Sequence, residues 1–235
     1  MKLNLKGFFF LVVHPASLKR LASREVRFRD RLLCKERWIS WQVYDSKQHI
    51  ERMESHPAVI AAFPLQIHRL EIILDMISSV GQSLEVLDVG CGNGTICKPI
   101  ADAGNRVTSV ELRGISGLSR RCGAGCVVAG DAEFMGFGAE SFDVVVASEV
   151  AEHLWAPELF FREAHRVLKP GGFLVISTPD GKVSLEFDSH KHFFTEDSLQ
   201  RVAGGGFGIC RAIHLGAECG VSPTLIVLMR KSKLT

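Results

Sequence analysis

The sequence predicts an α/β domain built on a mostly parallel sheet with helices on both faces. Three observations carry this. Short apolar runs, rich in β-branched residues, recur at 84–89, 107–110, Cys126–Ala129 and Phe142–Ser148. Between and after them lie stretches whose apolar residues repeat at helical spacing. The first run ends in three glycines at alternate positions, Gly90, Gly92 and Gly94, immediately before a helical segment opening at Thr95. Alternating strands and helices imply parallel strands joined by crossover helices.

Taken in order, Leu65, Leu70, Ile73, Leu74 and Ile77 predict a helix over 65–80 that packs on the sheet ahead of the first strand. Leu84, Val86, Leu87 and Val89 predict that strand. Pro157–Val167 reads as a helix with Leu159, Phe160, Ala164 and Val167 on its inner face and Arg162, Glu163 and Arg166 outside. Residues 168–177 give a Pro-Gly-Gly turn followed by the fifth strand. A helix follows Thr195, a good N-cap residue with Glu196 and Asp197 in the favourable first turn, and it ends at Gly204-Gly-Gly206. Strands at 210–215 and 224–229 complete the set. His68 and His165 fall in helical patterns and read as surface or packing residues.

Composition bounds the rest. A chain of 235 residues that is 46% hydrophobic suits one domain with a full core and a modest appendage. The net charge of +2 argues against a dedicated nucleic-acid binder, but it is unevenly spread. Residues 1–35 carry nine basic and two acidic side chains, and the remainder is net acidic. The expected division is a basic N-terminal extension over 1–35 and a single domain over 36–235. Residues 36–58, with Trp38, Trp41 and Tyr44, read as a helical lead-in over the mouth of the site. The apolar run 8–13 is shorter than a secretion signal's core, and no run approaches the ~20 residues of a membrane span. Seven cysteines without Cys-x2-Cys pairs read as reduced thiols, and the chain as cytoplasmic.

The glycine turn narrows the ligand. Glycines allow a tight turn and close approach of backbone to ligand. A dinucleotide fingerprint would need its third glycine where Thr95 stands, and Asp88 would repel a pyrophosphate. A cationic ligand with an amino-acid end fits better. Residues 86–94, Val-Leu-Asp-Val-Gly-Cys-Gly-Asn-Gly, resemble motif I of class I S-adenosylmethionine-dependent methyltransferases. The resemblance continues through Glu111 at the end of the second strand, Gly130-Asp131-Ala132 after the third, and Leu168-Lys-Pro-Gly-Gly before the fifth. It implies a Rossmann-like seven-stranded sheet of order 3-2-1-4-5-7-6 with an antiparallel C-terminal hairpin. It also implies S-adenosylmethionine as cofactor. Asp88, Gly90, Cys91, Gly92, Asn93 and Gly94 would hold its methionine end, Glu111 its ribose, and Asp131 and Ala132 its adenine. Ser148, at the end of the fourth strand, would complete the cofactor set.

The substrate side centres on Ser148-Glu149-Val-Ala-Glu152-His153-Leu154. On a helical turn Glu149, Glu152 and His153 would share one face, beside the reacting methyl. This Glu-x-x-Glu-His resembles the metal-using O-methyltransferases of ubiquinone biosynthesis and those that methylate the 3′ end of small RNAs. Three readings stand open: Mg²⁺ or another divalent cation on Glu149, Glu152, His153 and His192; His153 as catalytic base or pocket residue; and plain packing. Trp155 would line or close the pocket. The leading functional expectation is methyl transfer to a small-molecule acceptor at a hydroxyl oxygen. One rival is an RNA 3′-terminal 2′-O-methyltransferase, favoured by the basic N-terminus and opposed by the acidic body. The other is a non-catalytic binding protein of the same fold, opposed by the intact glycine turn, Glu111 and Asp131.

Overall fold

The computed structural model describes residues 63–92, 94–111, 126–181, 190–216 and 223–233. Within them the elements run α1 (Phe63–Val80), β1 (Glu85–Val89), α2 (Cys97–Asp102), β2 (Arg106–Glu111), β3 (Cys126–Ala129), β4 (Phe142–Ser148), α3 (Pro157–Val167), β5 (Leu168–Pro179), α4 (Glu196–Ala203), β6 (Phe207–Leu215) and β7 (Thr224–Lys231). Short 3₁₀ turns cover Ala151–His153 and Gly204–Gly206. The strands form one seven-stranded sheet of order β3-β2-β1-β4-β5-β7-β6. β1 pairs in parallel with β2 and β4, and only β7 runs antiparallel to its neighbours β5 and β6. This is the predicted order and hairpin. The proposed N-terminal extension and the lead-in carrying Trp38, Trp41 and Tyr44 lie outside the described residues. No helix among the described residues is long and apolar enough to cross a membrane.

Alternation along each strand splits the core into two layers, as a sheet covered on both faces requires. Leu87, Val89, Val145, Ala147, Leu174, Ile176, Leu225 and Val227 face Phe160, Phe161, Ala164 and Leu199 of α3 and α4. Val86, Val144, Val146, Val175 and Ile226 face Ile73, Met76 and Ile77 of α1 and Ile100 of α2. Each such buried aliphatic or aromatic side chain contributes roughly 1.5–3 kcal/mol.

Two local expectations shift. On α3 the inner face is Pro157, Phe160, Phe161, Ala164 and Val167, while Leu159 is only half-buried. Phe161 is drawn inward by an edge-to-face contact with Phe207, which only the return of β6 supplies. Arg166, expected to face solvent, donates to the carbonyls of Met135 and Phe137 while paired with Glu163. Thr195 does cap α4: its hydroxyl accepts from the Ser198 amide, and Ser198 returns a bond to the Thr195 amide. His165 packs on Phe207 and pairs with the Ser232 carbonyl, and His68 is exposed beside Glu71.

Candidate active site

The parallel strands deliver their C-terminal ends to one edge of the sheet, which is where this topology places ligands. Gly90, Gly92 and Gly94 all have positive φ, at 73°, 49° and 88°. Gly90 is forced for a second reason: a Cβ there would stand 2.5 Å from Val150 Cγ2, so the turn after β1 and the loop after β4 pack backbone against side chain. At Gly92 a Cβ would meet nothing within 4 Å, and the turn is open on the side a ligand would use. The Gly92 amide donates to Glu111 Oε2 at 2.8 Å, so the acid at the end of β2 reaches the turn directly. Gly130 donates to the Glu111 carbonyl, which brings Asp131 and Ala132 to the same edge. Cys91 is buried against Cys97 and Val127, and Asn93 lies outside the described residues.

Asp88 is 1% exposed, and its Oδ2 has no hydrogen-bond partner. Burial, reinforced by the neighbouring Glu111 charge, pushes its carboxyl up to about 7. A buried acceptor without a donor, next to a second carboxylate and an open glycine turn, fits a cationic ligand group. The amino-acid end and sulfonium of S-adenosylmethionine meet that description. Asp131 turns its Oδ1 back to the Glu133 amide, forming a tight local turn.

On the other side of β4 the chain bends sharply. Glu149 has φ 56°, a left-handed conformation that a non-glycine residue adopts under constraint. Its amide donates to the Ser177 carbonyl, and its Oε1 accepts from Ser177 Oγ at 3.0 Å. Ser148 Oγ lies 2.9 Å from the same Ser177 hydroxyl. The 3₁₀ turn Ala151–His153 begins only afterwards, so Glu149, Glu152 and His153 do not share one helical face. Glu152 points inward: it is 1% exposed, accepts from Thr178 Oγ1 through Oε2, and keeps a buried Oε1 without a hydrogen bond. Burial, then repulsion from Glu149, raises its carboxyl well above the ordinary range.

The donor atoms of Glu152, His153 and His190 lie within 4.8 Å of one another. The His153 and His190 rings meet edge to face at 4.9 Å. His192, the expected fourth ligand, instead bonds the Leu154 carbonyl through Nε2 and stacks on Phe194. The segment is anchored by the Lys191 and His192 amides, both donated to the Glu152 carbonyl, and this anchoring delivers His190, two positions before His192.

Four further residues line the site and have no local sequence signature. Arg69 of α1 places Nη1 3.4 Å from Glu149 Oε1. Thr178 and Ser177 supply hydroxyls from β5. Glu133, 2% exposed, accepts the amides of Trp155 and Ala156 on one oxygen and so holds the loop that carries His153. Trp155 is partly exposed at the rim with Lys191 Nζ 5.1 Å above its ring.

Comparison with known proteins agrees with this geometry. The family described as "Methyltransferase domain" matches residues 87–176. The ubiquinone biosynthesis O-methyltransferase of Sinorhizobium medicae is 34% identical over 103 residues, 41% of this chain and 42% of that protein. Its counterpart in Brucella anthropi is 35% identical over 106 residues, 40% of this chain and 41% of that protein. The matches thus span about two fifths of the curated relatives' length. Among solved structures, 1,6-didemethyltoxoflavin-N1-methyltransferase of Burkholderia thailandensis, with S-adenosylhomocysteine bound, superposes with a TM-score of 0.66 at 20% identity, covering 84% of this chain and 89% of that one. With the sheet order, the glycine turn and the acid ending β2 in place, residues 87–176 carry a methyltransferase domain, on the fold of the class I S-adenosylmethionine-dependent methyltransferases.

Proposed function

We propose that this protein transfers a methyl group from S-adenosylmethionine to a hydroxyl oxygen of a small-molecule acceptor. The observation that carries the reading is the pairing, across β1 and β4, of an open glycine turn flanked by Asp88 and Glu111 with a cluster of the buried Glu152 and the partly buried His153 and His190. The oxygen-methylating relatives support the choice of acceptor atom. When bound, the cofactor supplies an electrophilic methyl carbon on a sulfonium.

The chain's own residues do the rest. The 88–94 turn and Asp88 hold the methionine end, Glu111 accepts from the ribose hydroxyls, and Asp131 with Ala132 borders the adenine. The loop after β4 orients the acceptor for in-line attack. His153 takes the acceptor's proton at its imidazole. The donor set Glu152, His153 and His190 also fits a divalent cation, since a buried carboxylate oxygen without a partner joins two imidazoles. Such an ion would lower the pKa of a bound hydroxyl.

The test is calorimetry with S-adenosylhomocysteine, followed by transfer of labelled methyl to catechol-type acceptors with EDTA or Mg²⁺. Activity that falls in EDTA and returns with Mg²⁺ assigns the cluster to metal. Activity that survives chelation but falls with acid titration of His153, and is lost in His153→Ala, assigns it to base catalysis. Failure to bind S-adenosylhomocysteine overturns the proposal.

A further inference from the structure

Two carboxylates, Glu149 and Glu152, neighbour each other after β4, and among the described residues the Arg69 guanidinium pairs with the first of them. Arg69 reaches in from α1, far away in sequence, with its side chain only 18% exposed. Nη1 stands 3.4 Å from Glu149 Oε1, and the buried Nε has no hydrogen-bond partner. Glu149 is held on the same oxygen by Ser177 Oγ, and its backbone is fixed by the Ser177 carbonyl. It stays outside the set of donors that converge within 4.8 Å, although its charge is felt at both Glu152 and His190. The convergent set has its own unsatisfied atom, the buried Glu152 Oε1.

From this arrangement we infer that Arg69 is a built-in counter-cation that withholds Glu149 from the Glu152–His153–His190 cluster and weakens its hold on divalent cations. The physical argument is competition between positive charges. A guanidinium beside Glu149 neutralises part of the charge a metal needs, and it occupies the carboxylate oxygen that would turn toward the ion. Removing the cation leaves the buried Glu152 beside a partly buried Glu149, and an incoming divalent ion relieves their repulsion. This inference rests on the metal-capable reading of the cluster but not on methyl transfer itself.

The test is Mn²⁺ binding to the full chain at pH 7.5, followed by calorimetry and by the loss of the free-ion electron paramagnetic resonance signal. Arg69→Met should tighten binding on the order of 10-fold, the lower end of what outer-shell partners contribute to metal sites. Arg69→Lys, which keeps the charge, should stay close to the parent. The gain should vanish in Arg69→Met combined with Glu149→Gln. Unchanged S-adenosylhomocysteine affinity in each variant certifies the fold and reports separately on the cofactor site. Equal Mn²⁺ affinity in the parent and Arg69→Met, or no Mn²⁺ binding in either, overturns the inference. So does a parent that binds tightly and loses its ion on Glu149→Gln alone, because Glu149 would then already be a ligand.

Discussion

At Asp88 a carboxyl is held in the interior beside Glu111, and burial with that neighbouring charge pushes its pKa up from the ordinary 3.8 to about 7. A folded pKa above the unfolded one means the folded state binds more protons between these values. The stability this confers is complete below about pH 3.8 and is lost as pH rises through about 7. Asp88→Asn should therefore stabilise the ligand-free protein at pH 8 by about 1–3 kcal/mol, the usual cost of a buried unsatisfied group. At pH 4 it should change little. Urea unfolding at both pH values checks this, and an equal effect at both would show that burial does not perturb the carboxyl. Cofactor affinity should fall in the same variant. At Gly92 the added Cβ of Gly92→Val enters empty space, so the fold should survive, with strain on the order of 1–3 kcal/mol from the positive φ. The same atoms fill the approach a ligand needs, so S-adenosylhomocysteine binding in calorimetry should disappear while the circular dichroism spectrum stays native.

Among the elements, α3 has the most informative terminus. Its N-cap, Ala156, offers no side-chain cap, and Glu133 from the loop after β3 fills that role by accepting the Trp155 and Ala156 amides. A carboxylate at a helix N-terminus satisfies otherwise unpaired amides and complements the helix dipole. It also ties the turn carrying Asp131 and Ala132 to the loop carrying His153. Glu133→Ala should cost about 1–2 kcal/mol in stability, on the scale of a lost cap. Glu133→Gln, which keeps one acceptor oxygen, should recover part of that. Thermal unfolding of the two variants side by side checks the order, and equal melting temperatures would remove the cap from the account.

At the scale of the whole molecule, the described residues already contain a closed core on both faces of the sheet and every assigned cofactor residue except Asn93. The positive charge concentrated in residues 1–35 lies before these elements in sequence. Deleting residues 1–35 should leave S-adenosylhomocysteine affinity unchanged in calorimetry. A truncated chain that fails to fold would place the apolar run 8–13 in the core instead.

What the sequence determined by itself is whatever depends on neighbours a few positions apart. Short apolar, β-branched runs became strands, helical spacing became α1 and α3, and Thr195 capped its helix. The glycine turn kept its positive φ because those constraints are local. Strand order followed from resemblance rather than from periodicity. What only the tertiary structure decided are the meetings of residues far apart in the chain. Arg69 finds Glu149 across 80 positions, and Glu133 finds Trp155 across 22. Phe161 meets Phe207 because β6 returns beside it. The choice of His190 over His192 belongs to the same class. The two residues share one local pattern, and the bonds from the Lys191 and His192 amides to the Glu152 carbonyl select which imidazole faces the cluster. No periodicity encodes such a choice, because side chains two apart in an extended segment are locally equivalent until a distant carbonyl fixes the backbone between them.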